Sequence, residues 1–462
     1  MKIEKIGRGE LVKAPKLRKM VGPSFVLLGM GLGSGELIMW PYLVANFGLG
    51  IIWAAVIGIT FQFFINMEIE RYTLINGESV FVGWARKFGR LSPIWFILST
   101  VIPWMWPGII LSSAVVLSSV FGFSQPSWIA IVMLVLVGLI LSLGRVVYKT
   151  QEVFQKYLIF ISVPIVFLLA LFFAKGSDWQ GLASGLFGKG DNFWFFPVGL
   201  SLITFLGAFA YSGAGGNLNL AQSFYIREKE YGMGKYGGKI TSLLRKKTDD
   251  FPLEGKTFEI NQQNLIKFKD WWKKINTEHL MVFWATGALT ILMLSLLAFA
   301  TVYRQSGGVE GINFLFMEAG VIGQKTLPFI GTLFLILVSV TLFSTQLSVM
   351  DATSRITSEN LVILNKEKFK PKNLPKFYFI FLWTQIFLGI SILLLGFQQP
   401  WQLVRTSAFL NAVAMMVYTV ALLWLNQKTL DKALRPVWWR KLILVLIVVF
   451  FAGFSLLTLL NA

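Results

Sequence analysis

The feature that most constrains this chain is a series of apolar runs of about twenty residues, which is the length that crosses a bilayer as one helix. Short charged or turn-rich segments separate the runs. In lipid every backbone polar group needs an internal partner, so such a series folds into a bundle of helices. The sequence predicts an all-α membrane protein with about eleven transmembrane spans, at 22–46, 50–70, 93–121, 127–144, 157–174, 193–222, 279–303, 326–350, 377–397, 402–426 and 442–460.

The composition agrees with a membrane protein and excludes several kinds of chemistry. Charged residues make up 14% of the 462 positions, whereas soluble domains carry about 25%. The chain has no cysteine, which excludes disulfides and iron–sulfur clusters. His279 is the single histidine, which argues against a multi-histidine zinc or haem centre. We therefore expect no cofactor, and because no nucleophile–base pair stands out we expect no enzymatic activity.

The net charge of +19 has a distribution that predicts topology. With the N-terminus inside, the 42 Lys and Arg residues all fall in inner segments except Lys175, Lys189, Arg304, Lys325 and Arg405. The positive-inside rule then predicts a cytoplasmic N-terminus and an external C-terminus, in a prokaryotic-type plasma (inner) membrane. We interpret the positive charge as the result of membrane topology and of contact with anionic lipid, and we expect no nucleic-acid binding. We expect a monomer within the bilayer.

Two of the spans are interrupted by glycine. Span 1 contains 31-GLGSGELIMWP-41 and span 6 contains 212-SGAGGNLNL-220, and each glycine disfavours a helix by about 1 kcal/mol relative to alanine. Interruptions at corresponding places in two halves indicate an inverted-repeat transporter. We predict an N-terminal cytoplasmic segment 1–21, a first repeat 22–174 (spans 1–5), a second repeat 193–426 (spans 6–10) and span 11 at 442–460. The second repeat includes a cytoplasmic loop, 227–278, with a short helix near 261–275.

Interrupted helices at membrane depth free backbone N–H and C=O groups, which are tolerated where they line a cavity or bind something. The N-termini of half-helices favour an anionic group. An alternative interpretation of Gly31 and Gly35 is close packing between helices. The predicted substrate-binding residues are Gly33, Ser34, Gly35, Glu36, Ala214, Gly215, Gly216, Asn217 and Asn219.

Glu36 is an acid within a span, where it costs at least about 2.5 kcal/mol, and such residues are functional candidates. It could take a proton, coordinate a cation or hold a cationic group of the solute. The alternative is that it caps the free N–H groups at the start of the second half-helix.

Further coupling or gating candidates lie late in span 8. The hydroxyls of Ser344, Thr345 and Ser348 either form a sodium site against span 1 or bond within their own helix. Asp351, with Arg355, belongs either to an inner gate or to a solvated loop. Elsewhere, Glu68, Glu70 and Arg71 are expected to pair with one another, and 103-PWMWPG-108 is expected to kink span 3.

At these residues the sequence resembles the Nramp (natural-resistance-associated macrophage protein) metal transporters, which have the LeuT-type fold. The shared features are Gly22-Pro23 before span 1, Phe47-Gly48 after it, an Asn-Leu-x-Leu in span 6 and a Ser-Thr-Gln at 344–346 in span 8. The resemblance covers most of the chain. It implies a LeuT-type 5+5 inverted repeat with interrupted helices 1 and 6, and a secondary transporter that is typically proton-coupled.

The metal-binding motifs of that family are absent. Where the family has Asp-Pro-Gly-Asn in span 1, this chain has Gly-Ser-Gly-Glu at 33–36, and where it has Met-Pro-His-Asn in span 6, this chain has Ala-Gly-Gly-Asn at 214–217. A soft thioether helps to select manganese or iron, so its loss argues against ordinary transition-metal transport. The Gly-Ser-Gly resembles that of the amino acid–polyamine–organocation carriers, in which, as the resemblance implies, backbone amides bind a substrate carboxylate.

Three hypotheses follow. The first is a secondary transporter coupled to H⁺ or Na⁺ that carries a small anionic or zwitterionic solute, such as bicarbonate or an amino-acid-like carboxylate. The second is a divalent metal cation transporter, for Mg²⁺ or Mn²⁺, with a rebuilt site of oxygen ligands from Glu36, Asn217 and Asn219. The third is a channel or a non-transporting sensor.

Overall fold

The computed structural model describes residues 6–20, 22–143, 147–238, 240, 252–303 and 309–460. Parts of the predicted segment 1–21, of span 4 and of the loop 227–278, and Arg304, lie outside the described residues. Helices dominate the rest. They are α1 Pro23–Gly31, α2 Trp40–Phe47, α3 Ile52–Asn76, α4 Val80–Phe88, α5 Leu91–Trp104, α6 Gly108–Phe121, α7 Pro126–Leu143, α8 Val147–Phe173, α9 Gly176–Gly185, α10 Leu202–Ala210, α11 Gln222–Glu228, α12 Gln262–His279, α13 Thr286–Ala298, α14 Asn313–Lys325, α15 Pro328–Leu364, α16 Leu374–Leu394, α17 Pro400–Thr429 and α18 Trp438–Leu460.

The bundle is that of a multi-pass membrane protein. Within the described ranges, ten helices are long and apolar enough to cross a bilayer. Span 6 is not among them because it is split into the short helices α10 and α11. Span 3 is also divided, between Trp104 and Gly108, which confirms the predicted kink. The total of eleven spans and the internal repeat remain predictions.

Three predicted boundaries are wrong. Span 5 begins at Val147 rather than near 157, and span 8 continues to Leu364 rather than ending near 350. Polar residues at both ends are buried against other helices, so they do not mark the edge of the membrane as hydropathy suggested. Span 6 begins at Leu202 rather than near 193. The preceding segment contains Phe195 and Gly199 with positive φ angles of 62° and 86°, which an α-helix does not accommodate.

The segments predicted to share a side of the membrane do meet. At one end, strand β1 (Gly7–Arg8) pairs in parallel with strand β2 (Lys256–Thr257) of the long loop. At the same end, Arg71 donates to the Leu434 carbonyl over 3.1 Å. At the other end, the Asn46 side chain donates to the Val309 carbonyl over 3.2 Å. The alternation of spans agrees with the predicted topology, and the assignment of the first end to the cytoplasm stays a prediction.

The loop helix predicted near 261–275 is confirmed as α12, Gln262–His279. The Asn261 side chain caps it by accepting from the Asn264 N–H over 2.9 Å. Its apolar face is buried, and the Trp271 indole donates to the Val12 carbonyl over 2.7 Å. The helix runs through a π-helical stretch, Leu280–Ala285, directly into α13, so it is longer than predicted and is continuous with span 7.

Candidate functional site

Span 1 is interrupted by a side chain from span 8. In an α-helix the Gly33 N–H would bond to the Gly29 carbonyl, four residues earlier. Here the Thr345 hydroxyl stands between them, because it accepts from the Gly33 N–H over 2.9 Å and donates to the Gly29 carbonyl over 2.8 Å. A group inserted into the hydrogen-bond ladder distorts a helix, and Leu32–Met39 follows as a π-helix.

This interruption is milder than the sequence predicted. The backbone of span 1 stays helical, so the Gly33 N–H is not free for a solute in this structure. The hydroxyl of Thr345 faces span 1, which is the first of the two orientations considered for it. A sodium site there stays a prediction.

The glycines of span 1 also allow two spans to approach closely. A Cβ built on Gly35 would lie 1.5 Å from the Tyr211 carbonyl oxygen, and one built on Gly31 would lie 2.7 Å from the Gly213 carbonyl carbon. Both neighbours are backbone atoms, which cannot turn away as a side chain can. The packing interpretation of Gly31 and Gly35 is therefore confirmed, and it places span 1 directly against the break in span 6.

Span 6 is unwound. The helix α10 ends at Ala210, and the chain re-enters helical structure as a 3-10 turn at Gly216–Ala221. Gly215 and Gly216 have φ angles of 77° and 51°, a region that glycine adopts at little cost. The freed groups are satisfied by Gln62 of span 2, which donates to the Ala210 carbonyl over 2.9 Å and accepts from the Gly215 N–H over 3.0 Å. Gln62 is not among the predicted site residues, although the sequence shows a glutamine within an apolar span.

Glu36 lies in apolar surroundings. Its carboxyl group is fully buried, and neither oxygen has a hydrogen-bond partner among the described residues. A Cβ built on Gly287 of span 7 would lie 3.4 Å from Oε1 of Glu36, beside Leu28 and Ile59. The capping interpretation of Glu36 is wrong, because the carboxylate accepts no backbone N–H. An ionisable group at this depth is a functional candidate, and the role of Glu36 stays a prediction.

The two asparagines of span 6 are held through their amide nitrogens. Asn217 donates to the hydroxyls of Ser99 and Thr100 in span 3, over 2.8 and 2.9 Å, and Asn219 donates to Tyr418 of span 10 over 3.0 Å. In the described part of the chain, the Oδ1 atoms of both asparagines lack a donor. Each asparagine therefore keeps an acceptor for another group.

The remaining predicted site residues are also enclosed. Ser34 and Ala214 are fully buried, and the Ser34 hydroxyl has no partner within the described ranges. A Cβ built on Gly216 would lie 1.8 Å from Oδ1 of Asn411 in span 10. The nine predicted binding residues belong to two adjoining segments that are closed to both sides. Binding of a solute at these residues stays a prediction, and it would require neighbouring helices to move.

An aromatic pair lines the break in span 6. Tyr211 stacks on Trp104 of the span 3 kink, with ring centroids 5.5 Å apart and planes 14° from parallel. The Tyr211 hydroxyl lies 2.7 Å from that of Ser407. The indole N–H of Trp104 has no acceptor among the described residues although it is buried. From the sequence this segment was expected only to kink span 3, because its distance from span 6 along the chain gives no sign of the contact.

A charged network joins α11, the second half of span 6, to span 8. Arg355 Nε lies 2.9 Å from both carboxylate oxygens of Asp351, and Arg355 Nη1 bonds to Glu228. Arg227 donates to Glu359 over 2.9 Å. All five side chains are buried within helices. The interpretation of Asp351 and Arg355 as solvated loop charges is therefore wrong.

Spans 5 and 8 are joined through Ser348. Its hydroxyl accepts from Gln155 over 2.5 Å, and the same amide donates to the Ser344 carbonyl over 3.0 Å. The Ser344 hydroxyl has no partner in the described part of the chain. Gating or coupling by these residues stays a prediction.

Comparison with solved structures identifies the fold. A mutant of the manganese transporter from Eremococcus coleocola superposes with a TM-score of 0.70 at 14% identity, and the match covers 98% of this chain and 89% of that one. The same transporter in complex with an aromatic bis-isothiourea substituted compound gives a TM-score of 0.68 at 14% identity, with 97% and 88% covered. The nucleobase-cation-symport-1 family transporter MHP1, closed with bromovinylhydantoin bound, gives 0.57 at 14% identity, with 95% and 91% covered.

No protein-family model and no curated protein matches the chain. Identities of 14% show the fold alone. The chain has the LeuT-type fold, as the resemblance in its sequence implied.

Proposed function

We propose that this chain is an ion-coupled secondary transporter that carries a small anionic or zwitterionic solute at the adjoining interruptions of spans 1 and 6. The observation that carries the proposal is the pairing of these interruptions. The unwound segment of span 6 lies against the π-helical segment of span 1, with Gly35 in backbone contact with Tyr211. Glu36 lies in the same π-helical segment, without a partner among the described residues.

The donors and acceptors at this place support a zwitterion best. The Trp104 indole N–H is an unused donor, and the Gly215 N–H becomes one if Gln62 turns away. Unused acceptors are the Ser34 hydroxyl and the carboxyl oxygens of Glu36. A solute carboxylate fits the N–H groups, and an ammonium group fits the oxygens.

Divalent cation transport is the second candidate, and a specific observation favours it. Five unused side-chain atoms in the two segments are oxygens: Ser34 Oγ, Glu36 Oε1 and Oε2, Asn217 Oδ1 and Asn219 Oδ1. Oxygen ligands suit hard cations such as Mg²⁺. A similar structure is that of a manganese transporter. Against this candidate, the described residues include no group of three or more His, Cys, Asp or Glu that could hold a metal ion.

The experiment that separates these candidates is a thermal-stability panel on the purified protein, at matched ionic strength. It compares Mn²⁺, Mg²⁺ and Ca²⁺ with bicarbonate, other inorganic anions and amino acids. A ligand at ten times its dissociation constant stabilises the protein by about 1.4 kcal/mol. Stabilisation by anions or amino acids, lost in Gly215→Val, supports the first candidate. Stabilisation by a divalent cation alone, lost in Glu36→Gln, supports the second.

Transport in proteoliposomes then tests coupling. We expect a fixed ratio of solute to ion, and Glu36→Gln should abolish or uncouple uptake while the protein still folds. Glu318→Gln is the matched control, because Glu318 is also a buried carboxyl with an unpartnered oxygen in the described part of the chain but lies on α14, outside spans 1 and 6. Full uptake with unchanged pH dependence in Glu36→Gln would remove Glu36 from the mechanism. Passive flux without a fixed ratio would indicate a channel.

A further inference from the structure

A second group of buried titratable side chains lies toward the predicted cytoplasmic end of spans 1, 2 and 7. The Ser24 hydroxyl of span 1 lies 2.5 Å from Glu278 Oε2 and 2.8 Å from His279 Nδ1. The same Nδ1 lies 3.3 Å from Glu70 Oε1 of span 2. Glu70 does not pair with Arg71 as its sequence position suggested, but accepts from Gln222 of span 6 over 2.6 Å. We call Ser24, Glu70, Glu278 and His279 the inner cluster.

The inner cluster joins the parts of the bundle that surround the candidate site. Ser24 belongs to α1, Glu70 to α3, and Glu278 and His279 to the end of α12. Gln222 begins α11, the inner half of span 6. A change of charge here acts on both interrupted spans at once.

The Ser24 hydroxyl lies between the carboxyl group of Glu278 and the imidazole of His279, and it has a single hydrogen to donate. When Glu278 is ionised, Ser24 donates to it and accepts from His279 Nδ1–H. When Glu278 is protonated, it donates to Ser24, and Ser24 donates to an unprotonated Nδ1. The protonation of Glu278 therefore sets which nitrogen of His279 carries the hydrogen.

Charged and titratable groups surround the inner cluster on the packed elements. Arg71 is occupied by Glu68 over 2.7 Å, and Arg440 of span 11 also bonds to Glu68 over 3.2 Å. Toward the cytoplasmic end, Glu152 of span 5 pairs with Lys156 and with Lys229, over 2.6 and 2.9 Å. Tyr148, also of span 5, and Tyr231, which follows span 6, complete the set. The phenyl rings of Phe63 and Phe283 stack on His279 and shield it from lipid.

A polar stripe leads from the inner cluster to the break in span 6. Gln62, Asn66 and Glu70 lie at intervals of four residues on one face of α3, and they span about 12 Å along the helix axis. Gln62 bonds to the unwound backbone, and Glu70 bonds to the cluster. Asn66 between them is fully buried, and neither atom of its amide has a partner among the described residues. Its unused donor and acceptor suit a bridging water.

We propose that the inner cluster is the proton-binding site of the coupled transport proposed above, and that release of its proton favours opening of the cytoplasmic end. Once Glu278 is protonated and His279 carries its hydrogen on Nε2, the proton of Glu278 passes to Ser24 Oγ while Ser24 gives its own hydrogen to the free Nδ1 of His279. The imidazolium then gives its Nδ1 proton to Glu70, so Ser24 and His279 return to their starting forms. One proton has moved from Glu278 to Glu70, toward the polar stripe.

The direction of the pH effect follows from hydration. In the closed bundle the two carboxyl groups are buried around one imidazole, and opening exposes them to water. Water stabilises the ionised carboxylates more than a buried environment does. Loss of the proton therefore shifts the equilibrium toward the open form, and opening increases as pH rises.

The test uses a reporter cysteine, which is straightforward because the chain has no cysteine of its own. Ser223→Cys places a thiol at a buried position of α11. Its rate of maleimide labelling is measured from pH 5.5 to 8.5 and divided by the rate at Gln263→Cys, an exposed position of α12, to correct for thiol ionisation. We expect the corrected rate to rise with pH by about tenfold, because ionisation of the carboxyl groups favours the open form.

The variants Glu278→Gln and Glu70→Gln should each hold labelling at the slow, low-pH rate throughout this range. Ser24→Ala should keep the reporter buried but slow the response after a pH jump, because the relay is cut. Glu318→Gln is the control: burial raises the pKa of Glu318, which lies on α14 outside the candidate spans, and its removal should leave the pH response intact.

Labelling that does not depend on pH in the wild-type background would overturn the proposal. So would a pH response that survives in both Glu70→Gln and Glu278→Gln. Should one of these variants fail to fold, the other decides, since both remove a carboxyl group from the same cluster. Because labelling needs no solute, its outcome is independent of the stability panel and of solute uptake. Failure of transport itself would appear in those assays and not in this one.

Discussion

Spans 1 and 6 both contain a glycine-rich interruption, yet the backbone conformations of the two segments differ. Span 1 widens into a π-helix at Leu32–Met39 and stays helical, whereas span 6 unwinds between Ala210 and Gly216. Gly31 of span 1 has a negative φ angle of −82°, whereas Gly215 and Gly216 have positive φ angles. Glycine content alone therefore does not decide whether a span unwinds.

The groups that satisfy the backbone explain the difference. In span 1 a hydroxyl, that of Thr345, replaces one rung of the hydrogen-bond ladder and leaves the rest in helical form. In span 6 an amide, that of Gln62, reaches the Ala210 carbonyl and the Gly215 N–H across a gap of several residues. A small inserted group produces a bulge, and a longer bidentate group supports an open break.

The contact between the two interruptions should be the most sensitive part of the molecule. Gly35→Ala places a Cβ 1.5 Å from the Tyr211 carbonyl oxygen, so the two spans must separate. We expect a loss of about 3 kcal/mol or more in the free energy of unfolding, measured by thermal unfolding in detergent, together with loss of ligand-induced stabilisation. Gly453→Ala in span 11 is the control, because a Cβ there meets nothing within 4 Å. Equal stability of the two variants would show that the spans are not in contact.

Removing the group that supports the break should also lower the free energy of unfolding. Gln62→Leu leaves the Ala210 carbonyl and the Gly215 N–H without their partner, and each unsatisfied group costs about 1–3 kcal/mol. The matched control is Gln151→Leu in span 5, a buried glutamine whose amide atoms have no partner within the described ranges. Thermal unfolding should show a large loss for the first variant and none for the second. A loss of stability in both variants would mean that the poor fit of the leucine side chain, and not the broken hydrogen bonds, is responsible.

The sequence predicted those features of spans 1 and 6 that depend on residues close together along the chain. Apolar runs and the distribution of Lys and Arg predicted the spans and their alternation. The glycines at 213, 215 and 216 predicted the break in span 6, because positive φ angles are a property of single residues. The predicted start of span 5 and the predicted end of span 8 are wrong. The helices extend to Val147 and Leu364, because charged residues there are buried by other helices.

The parts that could not be predicted depend on residues far apart along the chain. Thr345 enters span 1 from more than three hundred positions away, and Trp104 reaches the break in span 6 from span 3. The inner cluster is also assembled from distant segments, with Glu278 beside Ser24. A single sequence shows these as polar residues in apolar spans, which identifies them as candidates without identifying their partners.

The smallest effect expected is at the inserted hydroxyl, and it tests why span 1 is a π-helix. Thr345→Ala removes the inserted hydroxyl group and with it both hydrogen bonds to span 1. The Gly33 N–H can then bond to the Gly29 carbonyl directly, so the net cost should be only about 1 kcal/mol. Closing the ladder would turn the following residues, including Glu36, by about 100° around the helix axis. We therefore expect near-normal thermal stability with a changed pH dependence of uptake, and Thr345→Ser, which keeps the hydroxyl, should behave as the wild type. Uptake that is unchanged in Thr345→Ala would mean that the bulge arises from the glycines themselves and not from the inserted hydroxyl.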